Sequence, residues 1–191
     1  MSKVGQRIAL VVIVLVVVIA IGFGWFKSNY NRIVGLDEEV SKGWAQVETV
    51  LQRRLDLIPN LVNTVKGYAS HEEEVLTAVT QARSRVGSAQ SVGDKAAANG
   101  ELNSALSRLM VVMENYPQLK ADQGFLGLQA QLEGTENRIS VERQRYNEAV
   151  ATYNKSIRQI PGTFFAAMFG FEKKVPFEAA QQAQSAPSVQ F

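Results

Sequence analysis

Residues 8–26 read IALVVIVLVVVIAIGFGWF, 19 positions without a charge. At about 1.5 Å per residue such a helix is about 28 Å long, close to the hydrocarbon thickness of a bilayer. A core helix of a soluble protein keeps one polar side, and this stretch has none. A cleaved signal peptide is the competing reading, with AIG or GFG as a poor cleavage site, but its apolar centre is normally only about 7 to 15 residues long. The segment is therefore expected to be a transmembrane helix, preceded by a cytoplasmic N-terminus at 1–7. Lys3 and Arg7 precede it and Trp25 closes it, whereas Asp37, Glu38 and Glu39 follow. That asymmetry, moderated by Lys27, Arg32 and Lys42, puts the N-terminus of a single-pass protein in the cytoplasm and the remaining domain outside.

Beyond Lys27 the pattern changes to one stripe. Ile33, Leu36, Val40, Trp44, Val47, Leu51, Leu55, Ile58, Val62 and Val65 follow one another at steps of three and four, the period of an amphipathic helix. Lys66-Gly67 is a stop, and Ser70-His71-Glu72-Glu73 has the form of a capping box opening a second helix through Val75, Leu76, Val79, Ala82 and Val86. Ser91-Val92-Gly93-Asp94 breaks that helix, Asp94 can cap a third through Leu102, Leu106, Leu109 and Met113, and Asn115-Tyr116-Pro117 turns again. The last helix starts loosely near Gly124 and carries Phe125, Leu128, Leu132, Ile139, Tyr146, Val150, Tyr153, Ile157 and Ile160 before Pro161-Gly162 ends it. Gly124, Gly127 and Gly134 are candidates for close backbone approach.

Helices of roughly 38, 20, 20 and 36 residues, about 57, 30, 30 and 54 Å long, dictate an all-α architecture. The two long helices must pair antiparallel, and the short ones can cover only their membrane-distal half. The expected fold is an N-terminal transmembrane helix followed by an antiparallel long-helix bundle over 28–161, a four-helix head on a two-helix stalk. Counting back from the distal turn brings Trp44 to Tyr146. It also sets Arg53, Arg54 and Asp56 near Glu136, where the last stripe is interrupted at 135–136 and again at 142–143. These charges are expected to face inward as a structural polar core. Pro59 removes a backbone donor and clashes with the Leu55 carbonyl, so a bend is expected there, with the freed acceptor taken by Arg143 or Asn63.

Three long stretches carry a family resemblance: YNRIVGLDEEVSKGWAQVE at 30–48, QRRLDLIPNLVNTVKGYASHE at 52–72 and ENYPQLKADQGFLGLQAQLEGTENRISVERQRYNEAVATYN at 114–154. Over residues 28–172 the chain resembles the LemA family of bacterial envelope proteins. The resemblance implies a membrane anchor followed by long antiparallel helices, and it supplies no catalytic residue.

Little chemistry is visible. There is no cysteine and one histidine, His71, so thiolate chemistry, a Ser-His-Asp triad and a His-Glu-x-x-His metal site are excluded. His71 with Glu72, Glu73 and Glu74 reads as a helix start facing the dipole rather than as a cation site. Glu133 and Glu136 are the only paired carboxylates with an enzyme-like spacing, and neither has a nucleophile beside it. No catalytic residue, cofactor or metal is expected. Setting aside Lys3, Arg7 and Lys27 leaves 17 basic against 18 acidic residues, so no basic stripe for nucleic acid is expected either.

The segment 162–177 holds Phe164, Phe165, Met168, Phe169 and Phe171, an aromatic membrane-proximal surface suited to lipid or to protein contact. Residues 178–191 read as a flexible tail. The function that fits is a non-enzymatic membrane scaffold that assembles as a homo-oligomer, since a two-helix stalk buries little apolar surface alone. The alternative is an adaptor that recognises another envelope protein, such as a membrane protease or its substrate.

Overall fold

The computed structural model describes residues 3–178. Among them are six helices: α1 (Lys3–Tyr68), α2 (Glu73–Ser88), α3 (Val92–Met113), α4 (Pro117–Lys120), α5 (Gln123–Arg158) and α6 (Gly162–Phe169). No strand occurs among the described residues, and all but Glu178 of the expected flexible tail at 178–191 lies outside them. The chain divides into two compact units, one of Met1–Val40 with Ala151–Lys174, the other of Ser41–Val150 with Val175–Phe191.

The first 66-residue helix merges the apolar run with the striped run in one element. An 18-residue window of it is long and apolar enough to cross a membrane and is wholly unburied. Within the first unit the stripe begins at Ile33 and Val40, both buried, as are Tyr153 and Ile157 at the end of α5. The α5 stripe stops one residue earlier than its pattern suggested, because Ile160 is 82% exposed beyond the helix end. Gly162 is required at the turn that follows: a Cβ there would lie 2.0 Å from the Ser156 carbonyl oxygen. Gly170 then caps α6 in the left-handed region, at φ 74°.

In the second unit the antiparallel register can be read from paired side chains. As α1 advances from Trp44 through Arg54 to Tyr68, the partner residues fall from Tyr146 through Glu136 to Asp122. Four helical stretches share one core: Leu55, Ile58, Leu61 and Val65 of α1, Leu76 and Val79 of α2, Leu102 and Leu109 of α3, and Phe125 and Leu132 of α5. Among the buried α1 positions, 47, 51, 54, 58, 61 and 65 alternate steps of four and three, with Leu55 buried beside Arg54, so Leu61 rather than Val62 lies in the seam and Arg54 occupies a seam position.

Several local expectations are corrected. Ser70 makes no cap; α2 begins after Glu72 with no side-chain cap bond, and the Glu72 carboxylate instead accepts from the Tyr116 hydroxyl at 2.8 Å. The cap of α3 is Ser91, which accepts from the Asp94 amide at 3.0 Å and donates to the Asp94 carboxylate at 2.7 Å, so Asp94 is the third residue of that box and not the cap itself. Gly127 and Gly134 face open space, and the close approach falls at Gly43, whose added Cβ would lie 3.4 Å from Tyr146. Pro59 lies inside α1, which is helical on both sides of it. The Leu55 carbonyl that Pro59 leaves without its usual donor is taken by neither Arg143 nor Asn63 but by Arg83 of α2, whose Nε donates to it at 2.8 Å.

This pairing generates a test by double-mutant cycle. Arg83→Met is expected to cost about 1.5 kcal/mol, the worth of a hydrogen bond from a charged donor to a partly buried carbonyl. In a Pro59→Ala background, where the helix's own amide can reach Leu55, the loss is expected to fall by about 1 kcal/mol. Denaturant unfolding of the four proteins in detergent measures both numbers.

Candidate functional site

The most concentrated polar chemistry lies inside the second unit, where an arginine replaces an apolar residue in the α1 seam. Arg54 is 5% exposed. Its Nη1 lies 2.5 Å from Glu136 Oε2 of α5 and donates to Asn103 at 2.6 Å and to Asn99 at 3.1 Å, both on α3. The Asn103 amide nitrogen in turn donates to the other Glu136 oxygen at 3.2 Å. Burial lowers the Arg54 pKa and the Glu136 carboxylate opposes that shift. A guanidinium starts so far above neutrality that it stays charged. Asn99 and Asn103 are one helical turn apart, which lets two amides of one helix reach the same guanidinium nitrogen. The Arg54 Nε remains buried without a hydrogen-bond partner.

The other residues expected in this core lie elsewhere. Arg53, Asp56 and Pro59 are exposed. Asp56 accepts from Gln52 at 2.7 Å, one turn away on the same helix. The reason is angular: residues 53 and 56 stand about 100° and about 160° round the helix from the seam position of Arg54, together on the face turned away from it. Arg143 is half-buried and takes no part in the cluster. Glu133 is exposed and accepts from Gln129 at 3.1 Å, so the two carboxylates that looked paired are engaged separately. Arg54, Asn103, Glu133 and Glu136 line an open groove of about 340 Å³ with Leu106, Met110 and Leu132. It contains charge, amides and the hydroxyl of Ser107, which donates to the Asn103 carbonyl of its own helix at 2.9 Å.

Trp44 and Tyr146 meet with ring centroids 5.4 Å apart. Phe177 packs on the same indole at 6.1 Å, and Lys95 of α3 lies over it at 5.5 Å while pairing with Glu48. Phe177 reaches this place because the irregular segment after α6 is held by asparagines. In the second unit the Asn147 side chain accepts from the Phe177 amide at 2.8 Å and donates to its carbonyl at 3.1 Å, while the Tyr146 hydroxyl donates to the Val175 carbonyl at 2.8 Å. In the first unit Asn154 repeats the exchange with Lys174, at 2.9 and 2.8 Å. Lys174 pairs with Asp37 at 2.8 Å and lies over the buried Tyr153 ring at 5.6 Å. Burial, and then Asp37, raise the Tyr153 pKa. Each carboxamide thus offers one residue of extended chain the donor and acceptor that a neighbouring strand would offer. These asparagines were not anticipated, although the repeated Tyr-Asn at 146–147 and 153–154, seven residues apart, is a visible signal.

Of the aromatic group after α5, Phe165 is buried against Phe26, and Phe169 and Phe171 pack on Tyr30. Phe164 and Met168 are 68% and 66% exposed. At the far turn of the second unit Asp122 caps α5 by accepting from the Phe125 amide at 2.8 Å, and accepts from the Tyr68 hydroxyl at 3.0 Å. The first of these bonds, then the second, holds the Asp122 pKa below the ordinary carboxylate value. No group of three or more acidic or histidine side chains able to hold a metal occurs among the described residues.

Residues 43–191 match the LemA family. The chain is also similar to Magnetosome protein MamQ 2 of Paramagnetospirillum magneticum, 29% identical over 175 residues that cover 78% of this chain and 64% of that protein. Magnetosome protein MamQ of Magnetospirillum gryphiswaldense is 26% identical over 186 residues, covering 84% and 68%. Protein LemA of Metamycoplasma hominis is 23% identical over 130 residues, covering 66% and 58%. The chain therefore spans less than two thirds of the length of the first of these relatives.

Two tests follow from the site. Glu136→Ala strands a buried guanidinium and is expected to cost about 2 to 3 kcal/mol, below the ~3 to 5 of a fully enclosed pair because Glu136 is 41% exposed, while Arg53→Ala and Asp56→Ala each change stability by less than about 0.5. Equilibrium unfolding compares them. For Asp122, a folded-state pKa below the unfolded one gives stability that is present above the unfolded value, near about 4, and is lost as pH falls through the folded one. Asp122→Ala is thus expected to lower the melting temperature at neutral pH, with the difference closing on acidification through that window.

Proposed function

Because this chain belongs to the LemA family, we propose that it is a non-enzymatic, single-pass membrane scaffold that assembles with copies of itself in the bacterial envelope. Its N-terminus lies in the cytoplasm and its helical bundle outside the inner membrane, periplasmic or extracellular. The observation that carries this reading is the use made of the reactive groups. Arg54, Glu136, Asn99 and Asn103 bond one another between helices, and the Ser107 hydroxyl that lines the groove beside them donates to the Asn103 carbonyl of its own helix. Polar groups spent on fixing helix against helix serve a shape rather than a reaction.

A second reading, an adaptor for another envelope protein, draws on one observation. Arg53 and Asp56, with Glu48, Gln52 and Lys95, line an open polar groove of about 590 Å³ on the second unit. Mass measurement of the full chain in nanodiscs and in mild detergent separates the two. The scaffold predicts discrete multiples of the chain mass that persist at dilution. A single copy throughout, growing only when an envelope partner is added, overturns self-assembly in favour of the adaptor.

A further inference from the structure

The first unit leaves one apolar surface uncovered, and its geometry is set by which side of α6 is used. Phe165 packs on Phe26 at 4.9 Å and on Trp25 at 6.3 Å. Phe169 packs on Tyr30 at 4.7 Å and Phe26 at 6.1 Å. One turn apart, these two rings fix the short helix against the end of the apolar run of α1. Phe164 and Met168, also one turn apart, therefore lie on another face, where they are 68% and 66% exposed, and Ile160 precedes them at 82%. Trp25 is itself 56% exposed and Phe23 67%, and from there Leu10 to Ile21 present nothing but exposed apolar side chains. The uncovered face of α6 thus continues the surface of a helix of bilayer length. The charges bordering it are mostly of one sign: Lys27, Lys155, Arg158 and Lys173 are exposed, against Glu172.

We propose that α6 is an interfacial helix, seating Phe164 and Met168 at the boundary between acyl chains and headgroups of the leaflet that α1 leaves, with the neighbouring cations on anionic headgroups. The occupant of this face is lipid rather than a second protein for two reasons. The face is continuous with the span that must itself be covered by acyl chains, and aromatic or thioether side chains rimmed by lysine and arginine match the polarity gradient of an anionic interface. Trp25, at the level of Phe165, is the kind of residue that marks that depth. The inference rests on α1 crossing the bilayer, and its test reports on that crossing separately.

The chain has no cysteine, so single substitutions Phe164→Cys, Met168→Cys, Val14→Cys and Val111→Cys each accept one fluorescent label. All four positions are exposed, which keeps the fold out of the comparison. The labelled full-length proteins are placed in vesicles of phosphatidylcholine and phosphatidylglycerol, with bromine on either the upper or the deep part of the acyl chains, and are titrated with iodide in water. Labels at 164 and 168 are expected to be quenched several-fold more by upper-chain bromine than the label at 111, and to be shielded from iodide. The label at 14 is expected to respond to deep bromine. If 14 responds and 164 and 168 are open to iodide, the interfacial helix is refuted while the anchor stands. If 164 and 168 are shielded from both quenchers, protein covers them and the proposal is again overturned. If 14 fails to respond to bromine at either depth, anchor and interfacial helix fall together.

Discussion

A guanidinium placed in the seam between helices imposes conditions on everything around it. The α1 position of Arg54 belongs to a run of buried residues at steps of four and three, where leucine or isoleucine would bury apolar area at no polar cost. Stripped of water, the charge needs a counter-ion and several acceptors, and no single neighbouring helix supplies them all. Glu136 comes from α5 and the amide oxygens of Asn99 and Asn103 from α3, so three helices must take up one arrangement before the charge is tolerated. The net stability gained is small, because desolvation offsets most of the attraction. What the cluster supplies instead is a steep penalty on any packing that separates these groups.

The same logic operates at the backbone. An extended segment beside a helix has donors and acceptors that the helix, its own ladder complete, cannot satisfy. Asn147 and Asn154 solve this with side chains, each carboxamide bonding both the amide and the carbonyl of one residue, Phe177 or Lys174. Their spacing of seven keeps both on one face of α5, and the adjoining tyrosines at 146 and 153 are buried in that helix's seam. Arg83 answers a comparable need at Leu55, where a proline four residues on withholds a donor. In each case an unsatisfied backbone group selects a particular polar side chain, and that side chain then ties two elements together.

What could be read from the chain and what could not divides along physical lines. Helices α1, α2, α3 and α5 are visible because their stripes repeat over many turns and periodicity accumulates, so that Trp44 could be matched with Tyr146 by counting alone. The pairing of Arg54 with Glu136 was within reach of the same counting, but telling Arg54 from Arg53 and Asp56 requires the angular position of each residue to within one step, which Leu61 in place of Val62 shows to be finer than the stripe allowed. Caps were misplaced at Ser70 and Asp94 because either of two neighbouring polar residues fits the local pattern. The Asn contacts and Arg83 on Leu55 depend on segments brought together from far apart in the chain, about which a local pattern is silent.

Register is where these pieces combine. In a pair of long helices with seven-residue repeats, sliding one helix by seven restores nearly every apolar contact, so hydrophobic burial alone discriminates poorly between alignments. Here the second unit contains a polar check on each slip. Moving α5 by one repeat would set either Arg143 or Gln129 in the place of Glu136. The first brings like charges together, and the second leaves the buried Arg54 without an anion. Arg143, which forms no part of the cluster, still contributes to the alignment by being wrong for it. Long helical pairs purchase uniqueness in this way, with a few interior positions surrendering apolar burial so that one alignment stands clear of its neighbours.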